Sequence, residues 1–236
     1  MNIALIGYGK MGRAIEKIAI THGHEIVYKI DTGDSLEELS AEAVDIAIEF
    51  TQPSSAFENI TYCLQHGIPV ISGTTGWLDM LDQVEAMCEA KNGTFLYASN
   101  YSIGVNLFFE LNEWLASKMR KLKFSSQLTE VHHTEKKDSP SGTAITLAEG
   151  ILKHDSSKTG WINEETTDHQ KLSIISERKP NVPGTHTVSY SSMLESIEIK
   201  HIAHDRNVFA EGVVKVAEWI QPRKGLFTMS DFINDN

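Results

Sequence analysis

The richest chemistry in the chain lies in Glu130-Val131-His132-His133-Thr134-Glu135-Lys136-Lys137-Asp138-Ser139-Pro140-Ser141-Gly142-Thr143-Ala144. Two adjacent histidines and two lysines run into a Pro-Ser-Gly-Thr turn that opens a helical pattern. Such a turn is an anion site, because the Ser141 and Thr143 hydroxyls, the Gly142 amide and the positive start of a helix can all face a carboxylate. A carboxylate seated there brings its carbon skeleton towards His132, His133 and Lys136. An imidazole or an ammonium can then protonate a substrate that has just accepted hydride. In a strand, neighbouring side chains point to opposite faces, so His132 and His133 can act together only if the strand has already ended. Metal binding by the pair is disfavoured, since neither a carboxylate nor a third ligand is well placed along the sequence.

A second constellation stands at the start of the chain. Gly7-Tyr8-Gly9-Lys10-Met11-Gly12 has G-x-G-x-x-G spacing directly after an apolar run and ahead of a helical pattern. The first glycine allows a tight turn, the second lets backbone approach a pyrophosphate, and the third lets the helix pack closely with its positive end on the anion. Asp31 follows the next strand at the distance where a carboxylate bonds ribose hydroxyls. That carboxylate favours NADH, while Lys10 and Lys29 could each reach the extra phosphate of NADPH, so either cofactor stays open. Gly73-Thr74-Thr75-Gly76 follows a later strand, and its small residues suit a ribose or nicotinamide ring as well as an ordinary polar turn.

These residues need elements to hold them. Over the first hundred residues strand-like and helix-like patterns alternate. Strands are expected at 2–6, 24–30, 44–50, 68–72 and 94–98, with helices at 10–21, 53–65 and 77–91. Repeated strand–helix–strand units give a parallel sheet with helices on both faces. Between 31 and 44 there is too little chain for a full crossover helix. The second half reads as a helix at 104–120, a strand at 123–132, a helix at 141–153, strands at 172–179, 185–192 and 196–204, and a helix at 206–220. Polar loops are expected at 155–159 and 163–169. The fold class is therefore α/β, with an N-terminal Rossmann dinucleotide-binding domain and a C-terminal α+β domain built on a mixed β-sheet. Residues 1–102 and 207–236 are assigned to the first domain, and 103–206 to a substrate-binding and oligomerisation domain.

Bulk properties narrow the class further. The 236 residues carry a net charge of −11, with 41% apolar and 22% charged residues. That balance opposes general nucleic-acid binding, which needs clustered Lys and Arg. No apolar run reaches the roughly 20 residues that cross a bilayer. The N-terminus reads as a first strand, not a secretory signal, so a cytoplasmic location is expected. Cys63 and Cys88 lie in helical patterns without zinc spacing and read as two buried thiols.

With these motifs assembled, the chain resembles the dihydrodipicolinate reductase family over nearly its whole length. The family signature E-x-H-H-x-x-K-x-D-x-P-S-G-T-A is unbroken from Glu130 to Ala144. Around it stand Phe50-Thr51-Gln52-Pro53, Ala98-Ser99-Asn100-Tyr101-Ser102-Ile103-Gly104-Val105-Asn106, His201-Ile202-Ala203-His204-Asp205-Arg206, Phe209-Ala210-Glu211-Gly212 and Gly225-Leu226-Phe227-Thr228-Met229-Ser230-Asp231.

The resemblance implies that NADH or NADPH reduces a cyclic dicarboxylate to tetrahydrodipicolinate in lysine and diaminopimelate biosynthesis, on a homotetramer. It makes His132 the proton donor and Lys136 its partner. His133, Lys136, Ser141, Gly142 and Thr143 would hold the substrate. Gly7 to Gly12, Asp31, Gly73, Thr74, Thr75, Ala98, Ser99, Asn100 and Tyr101 would line the cofactor, with no metal, and Asn100 to Asn106 would act as the hinge for domain closure. The chain departs from the family around the short connection after Asp31. It also carries Lys179-Pro180 where many members have small glycines. Two rival readings stay open: another amino-acid-pathway dehydrogenase, or a nucleotide sensor that has lost turnover.

Overall fold

The computed structural model describes residues 1–122 and 124–235. The chain divides into two compact units, Met1–Ile103 with Asn207–Asn236, and Gly104–Arg206.

Unit 1 is a parallel sheet covered on both faces. Its chain order is β1 (Asn2–Ile6), α1 (Lys10–Thr21), β2 (Glu25–Ile30), β3 (Ile46–Glu49), α2 (Pro53–Gln65), β4 (Val70–Ser72), α3 (Leu81–Ala90) and β5 (Thr94–Tyr97). Ile3 and Leu5 of β1 face one hydrophobic cluster, and Ala4 and Ile6 face the other. Both faces being buried is the reason the strands read as continuous apolar runs. Helix α1 buries Gly12, Ile15 and Ala19, one stripe at helical spacing. Proline at the first turn of α2 needs no amide partner there. The connection after β2 holds only a 3-10 turn, Leu36–Glu38, as its length required. A second 3-10 turn, Leu78–Met80, takes the start of the helix expected from residue 77.

Unit 2 begins with α4 (Ile103–Met119), then β6 (Ser125–His132), α5 (Gly142–Leu152), β7 (Gly160–Ile162), β8 (Lys171–Arg178), β9 (Gly184–Ser191) and β10 (Ser196–Ala203). Its sheet order is β10-β9-β6-β8-β7, with β6 parallel to β8 and antiparallel to β9. The mixed sheet is therefore present, with an added edge strand at β7 between the two expected polar loops. Residue 123, included in the expected strand, lies outside the described residues. Helices α4 and α5 pack on the sheet over Phe108, Leu115, Leu128, Leu147, Ile174 and Val188.

The chain then returns to unit 1 with α6 (Asn207–Ile220), β11 (Gly225–Phe227) and α7 (Met229–Asn234). The six parallel strands run β11-β5-β4-β3-β1-β2. Strand order reverses between β1 and β3, so a crevice opens there at the carboxyl edge, where open α/β sheets bind ligands. A Cβ on Gly212 of α6 would lie 1.8 Å from the Tyr101 carbonyl oxygen, so glycine alone lets the helix pack on that segment. Cys63 and Cys88 are free and buried, and burial pushes the Cys63 thiol up to about 12.

Candidate functional site

A candidate nucleotide site is built at that reversal, within unit 1. Gly7 has φ +96°, and a Cβ there would lie 2.0 Å from the Phe50 carbonyl oxygen. Only glycine lets the loop after β1 sit against the end of β3. Gly12 packs on the Gly7 carbonyl, where a Cβ would come to 2.3 Å. A cleft of about 700 Å³ is lined by Gly7, Gly9, Asp31, Asp34, Phe50 and Thr51, among others. Asp31 follows β2 as expected. Its Oδ1 accepts from the Thr32 amide at 2.9 Å, and its own amide donates to Asp34 Oδ2 at 2.9 Å.

Lys29, which the sequence offered as a phosphate ligand, is already engaged. Its ammonium lies 2.6 Å from Glu16 Oε1 and 4.9 Å from the centre of the Tyr8 ring. Tyr8 also carries Arg13 over its ring at 4.6 Å and donates its hydroxyl to Glu16. The Tyr8 side chain thus ties α1 to β2. Lys10 and Gly12 do not line the cleft, although Met11 lines a smaller one.

The smaller cleft, about 240 Å³, is lined by Met11, Phe50, Thr51, Pro53, Gly73, Thr74 and Thr75. Its floor is organised by Glu49, a residue absent from the expected set. This wholly buried carboxylate accepts from Ser72 Oγ at 2.6 Å, Thr74 Oγ1 at 2.9 Å, the Thr51 amide at 3.1 Å and the Thr51 hydroxyl. It binds the loop after β3 to the loop after β4. The Thr74 hydroxyl is therefore committed within the protein, while Thr75 is exposed. A Cβ on Gly73 would strike the Phe50 ring at 2.1 Å. Ala98 to Tyr101 follow β5 at the same edge. The Tyr101 ring is buried against Phe50, and its hydroxyl donates to the Ser72 carbonyl at 2.7 Å.

Unit 2 carries a cluster of ionisable groups of its own. Period-two alternation along β6 turns Ser126, Leu128, Glu130 and His132 inward. Glu130 sits in register with Ser176 on β8 and His186 on β9. Its carboxylate accepts from Ser176 Oγ at 2.7 Å and from the Ser141 amide at 3.1 and 3.2 Å, with Arg178 Nη2 at 3.5 Å and His186 Nε2 at 3.7 Å. These partners outweigh burial and hold its pKa far below the carboxylate range.

His132 is the last residue of β6, so His133 is released from strand alternation. His132 is 7% exposed. Its Nδ1 lies 3.4 Å from Glu130 Oε2, near enough for attraction but without hydrogen-bond geometry. Burial, and then the facing His186, lower its pKa from 6.5 to about 4. The imidazole is neutral at pH 7. Glu130, His132 and His186 bring three ligand atoms within 4.8 Å, which corrects the view that no carboxylate or third ligand stands near the histidines. Both Glu130 oxygens already accept hydrogen bonds from the serines, so this cluster is a hydrogen-bonded core.

Ser141, expected to offer its hydroxyl to an anion, uses it internally. It caps α5 by accepting from the Ala144 amide at 3.2 Å, and shares a hydrogen bond with His186 Nε2 at 3.2 Å. Gly142 is exposed and Thr143 half-buried at the same helix start. Lys136 Nζ lies 2.8 Å from Asp138 Oδ2, and Arg178 clamps this turn by donating to the Lys136 and Asp138 carbonyls at 3.4 and 2.7 Å.

Because β8 and β9 flank β6, their connection at 179–183 crosses the end of β6. It roofs a cleft of about 420 Å³ lined by His133, Thr134, Pro180, Asn181, His204 and Arg206, among others. The buried His133 Nδ1 has no hydrogen-bond partner among the described residues. Arg206 was quoted in a sequence motif but not counted as a ligand. Neither His132 nor Lys136 lines this cleft.

A Gly-rich loop at a parallel-sheet reversal, with Asp31 at the end of the second strand and a separate cleft bearing His133, His204 and Arg206, fits the class of nicotinamide-dependent oxidoreductases. Family models agree in detail: residues 1–101 match "Dihydrodipicolinate reductase, N-terminus" and residues 104–233 match "Dihydrodipicolinate reductase, C-terminus". The chain belongs to the dihydrodipicolinate reductase family and, as a member, is an NAD(P)H-dependent reductase. It is 48% identical over 236 residues to the 4-hydroxy-tetrahydrodipicolinate reductase of Christiangramia forsetii, covering all of this chain and 98% of that one. The enzyme of the same name from Archaeoglobus fulgidus is 30% identical over 262 residues, covering 99% and 100%. A solved dipicolinate-bound dihydrodipicolinate reductase from a Paenisporosarcina species superposes with TM-score 0.77 at 25% identity, covering 97% of each chain.

Proposed function

We propose that the protein reduces 4-hydroxy-tetrahydrodipicolinate to tetrahydrodipicolinate in lysine and diaminopimelate biosynthesis, using NADH in preference to NADPH. The observation that carries the cofactor choice is the ion pair of Lys29 with Glu16. It removes a cation that could have met a 2′-phosphate. Asp31, Asp34 and Glu37 are left lining the ribose end of the cleft. A phosphate placed among three carboxylates is repelled, whereas ribose hydroxyls can donate to them.

The cofactor-binding set is Gly7, Tyr8, Gly9, Lys10, Met11, Gly12, Asp31, Gly73, Thr74, Thr75 and Ala98 to Tyr101. Tyr8, Gly12, Thr74 and Tyr101 act by shaping backbone, because their side-chain positions are taken up within the protein. The dicarboxylate is held by His133 and the Gly142-Thr143 helix start, with Arg206 added. The ring loses its 4-hydroxyl as water to leave a conjugated double bond, hydride adds to it, and Lys136, a cation steered by Asp138, gives the proton. His132 is uncharged at pH 7 and packs beside Glu130 and His186 instead of competing for that role. The assembly is a cytoplasmic homotetramer. Exposed Met193, Leu194, Ile197 and Ile202 on and beside β10 supply apolar surface for subunit contact.

The test is oxidation of NADH and NADPH, followed separately at matched concentrations with the condensation product of aspartate semialdehyde and pyruvate. A higher kcat/KM with NADH is expected. A higher kcat/KM with NADPH would overturn the cofactor reading, and nucleotide binding without turnover would favour the sensor.

A further inference from the structure

Away from the clefts of either unit, the chain leaves α1 through His22-Gly23-His24. Gly23 has φ +81°, a left-handed turn that brings the imidazoles on either side of it to one carboxylate of α6. His22 Nδ1 lies 3.1 Å and His24 Nε2 2.8 Å from Glu218 Oε1. The three ligand atoms all fall within 4.8 Å of one another. Both histidines are half-buried and Glu218 is exposed, so an ion can reach the point they share.

The spacing suits a tetrahedral ion. Bonds of about 2.0–2.1 Å set ligand atoms about 3.3 Å apart, a few tenths of an ångström beyond the separation of either imidazole nitrogen from Glu218 Oε1. An orienting partner is present as well. Glu211 Oε1 lies 3.4 Å from His22 Nε2, the nitrogen turned away from the shared point, and Lys215 Nζ holds the same Glu211 oxygen at 3.4 Å. Carboxylates in this position fix ring orientation and raise the basicity of a metal-bound imidazole. Two imidazoles favour zinc, copper or nickel over calcium or magnesium, which prefer all-oxygen shells.

We propose that His22, His24 and Glu218 form a binding site for one Zn²⁺, with a fourth position open to water. Both imidazoles bind as neutral ligands and any proton shared with Glu218 leaves to solvent; His24, bound through Nε2, then carries its hydrogen on Nδ1, 3.3 Å from the Met1 amino nitrogen. None of these residues lines either nucleotide cleft. The ion therefore acts as a staple within unit 1, pinning the α1–β2 junction to α6, and it stabilises the fold in proportion to its occupancy.

The full-length protein, stripped with a chelator, is titrated with Co²⁺ as a spectroscopic probe and then with Zn²⁺. One equivalent of Co²⁺ with tetrahedral visible absorption, displaced by Zn²⁺, is expected. Affinity should fall at least about tenfold in His24→Gln and in Glu218→Gln, since even outer partners of such sites change it that much. Zn²⁺ should raise the Tm of the unaltered protein and leave that of the variants in place. On the unaltered protein, Zn²⁺ should protect His22 and His24 from diethyl pyrocarbonate, mapped residue by residue. Unchanged affinity in both variants, protection confined to other histidines, or no binding at micromolar Zn²⁺ would each overturn the proposal.

Discussion

Acidification from pH 7 to pH 5 should cost folding stability, with His132 as an identifiable source. Burial and the facing His186 hold this imidazole near pKa 4, against 6.5 when unperturbed. Between those values the unfolded chain takes up a proton that the folded protein does not. Stability therefore falls as pH falls through that window. At pH 5 the unfolded imidazole is almost fully protonated and the folded one only about one-tenth so. Relative to pH 7, the linkage integral gives a loss of about 2 kcal/mol. Glu130 acts in the same sense but lower: its depressed pKa gives stability that is present above about 4.5 and lost below it, leaving the pH 5–7 window mainly to histidine. The depressed pKa of His201 contributes equally to wild type and variant. Urea unfolding followed by tryptophan fluorescence, at both pH values and constant ionic strength, compares wild type with His132→Gln. Whatever the substitution costs at pH 7, its further loss at pH 5 should be smaller by about 2 kcal/mol. Equal losses in the two proteins would mean that His132 is not held neutral, and the assignment of the proton to Lys136 would lose its basis.

Other consequences are as direct. Lys136→Gln should lower kcat by about 10²–10⁴ with a much smaller change in KM, and an unchanged kcat would remove Lys136 from the proton transfer. Glu130→Ala should destabilise by about 3–5 kcal/mol, because Arg178 loses a buried carboxylate and the Ser176 hydroxyl and Ser141 amide lose their acceptor; a denaturation midpoint within error of wild type would refute this. Gly212→Ala should cost about 3 kcal/mol or more, since its methyl would lie 1.8 Å from the Tyr101 oxygen; an unchanged urea midpoint would mean that α6 can shift at no cost.

What sequence could reveal here followed from local rules. Strand length, the glycine spacing at 7, 9 and 12, the proline opening α2 and the short connection after Asp31 each act within a few residues, and each is visible in the architecture. The strands at Gly160–Ile162 and Gly225–Phe227 were not visible, because three residues carry no periodicity: the first is paired only across a polar loop, and the second with a neighbour far along the chain. The same limit applies to the site. Glu130, Ser176 and His186 form one row across three strands, and only register brings them together. Lys29 looked available because Glu16, its partner, stands on the preceding helix, and a linear reading does not place one beside the other. Ser141 looked like a ligand because the same hydroxyl that can hold an anion can also cap its own helix.

The central claim is that hydride passes directly from a reduced nicotinamide to the ring of a cyclic dicarboxylate. A single turnover with NADH deuterated at the transferring position, with the product recovered and weighed by mass spectrometry, tests it most directly. One deuterium on carbon in tetrahydrodipicolinate, retained in ordinary water, is expected. Oxidised cofactor with an unlabelled product, or no oxidation at all, would contradict it.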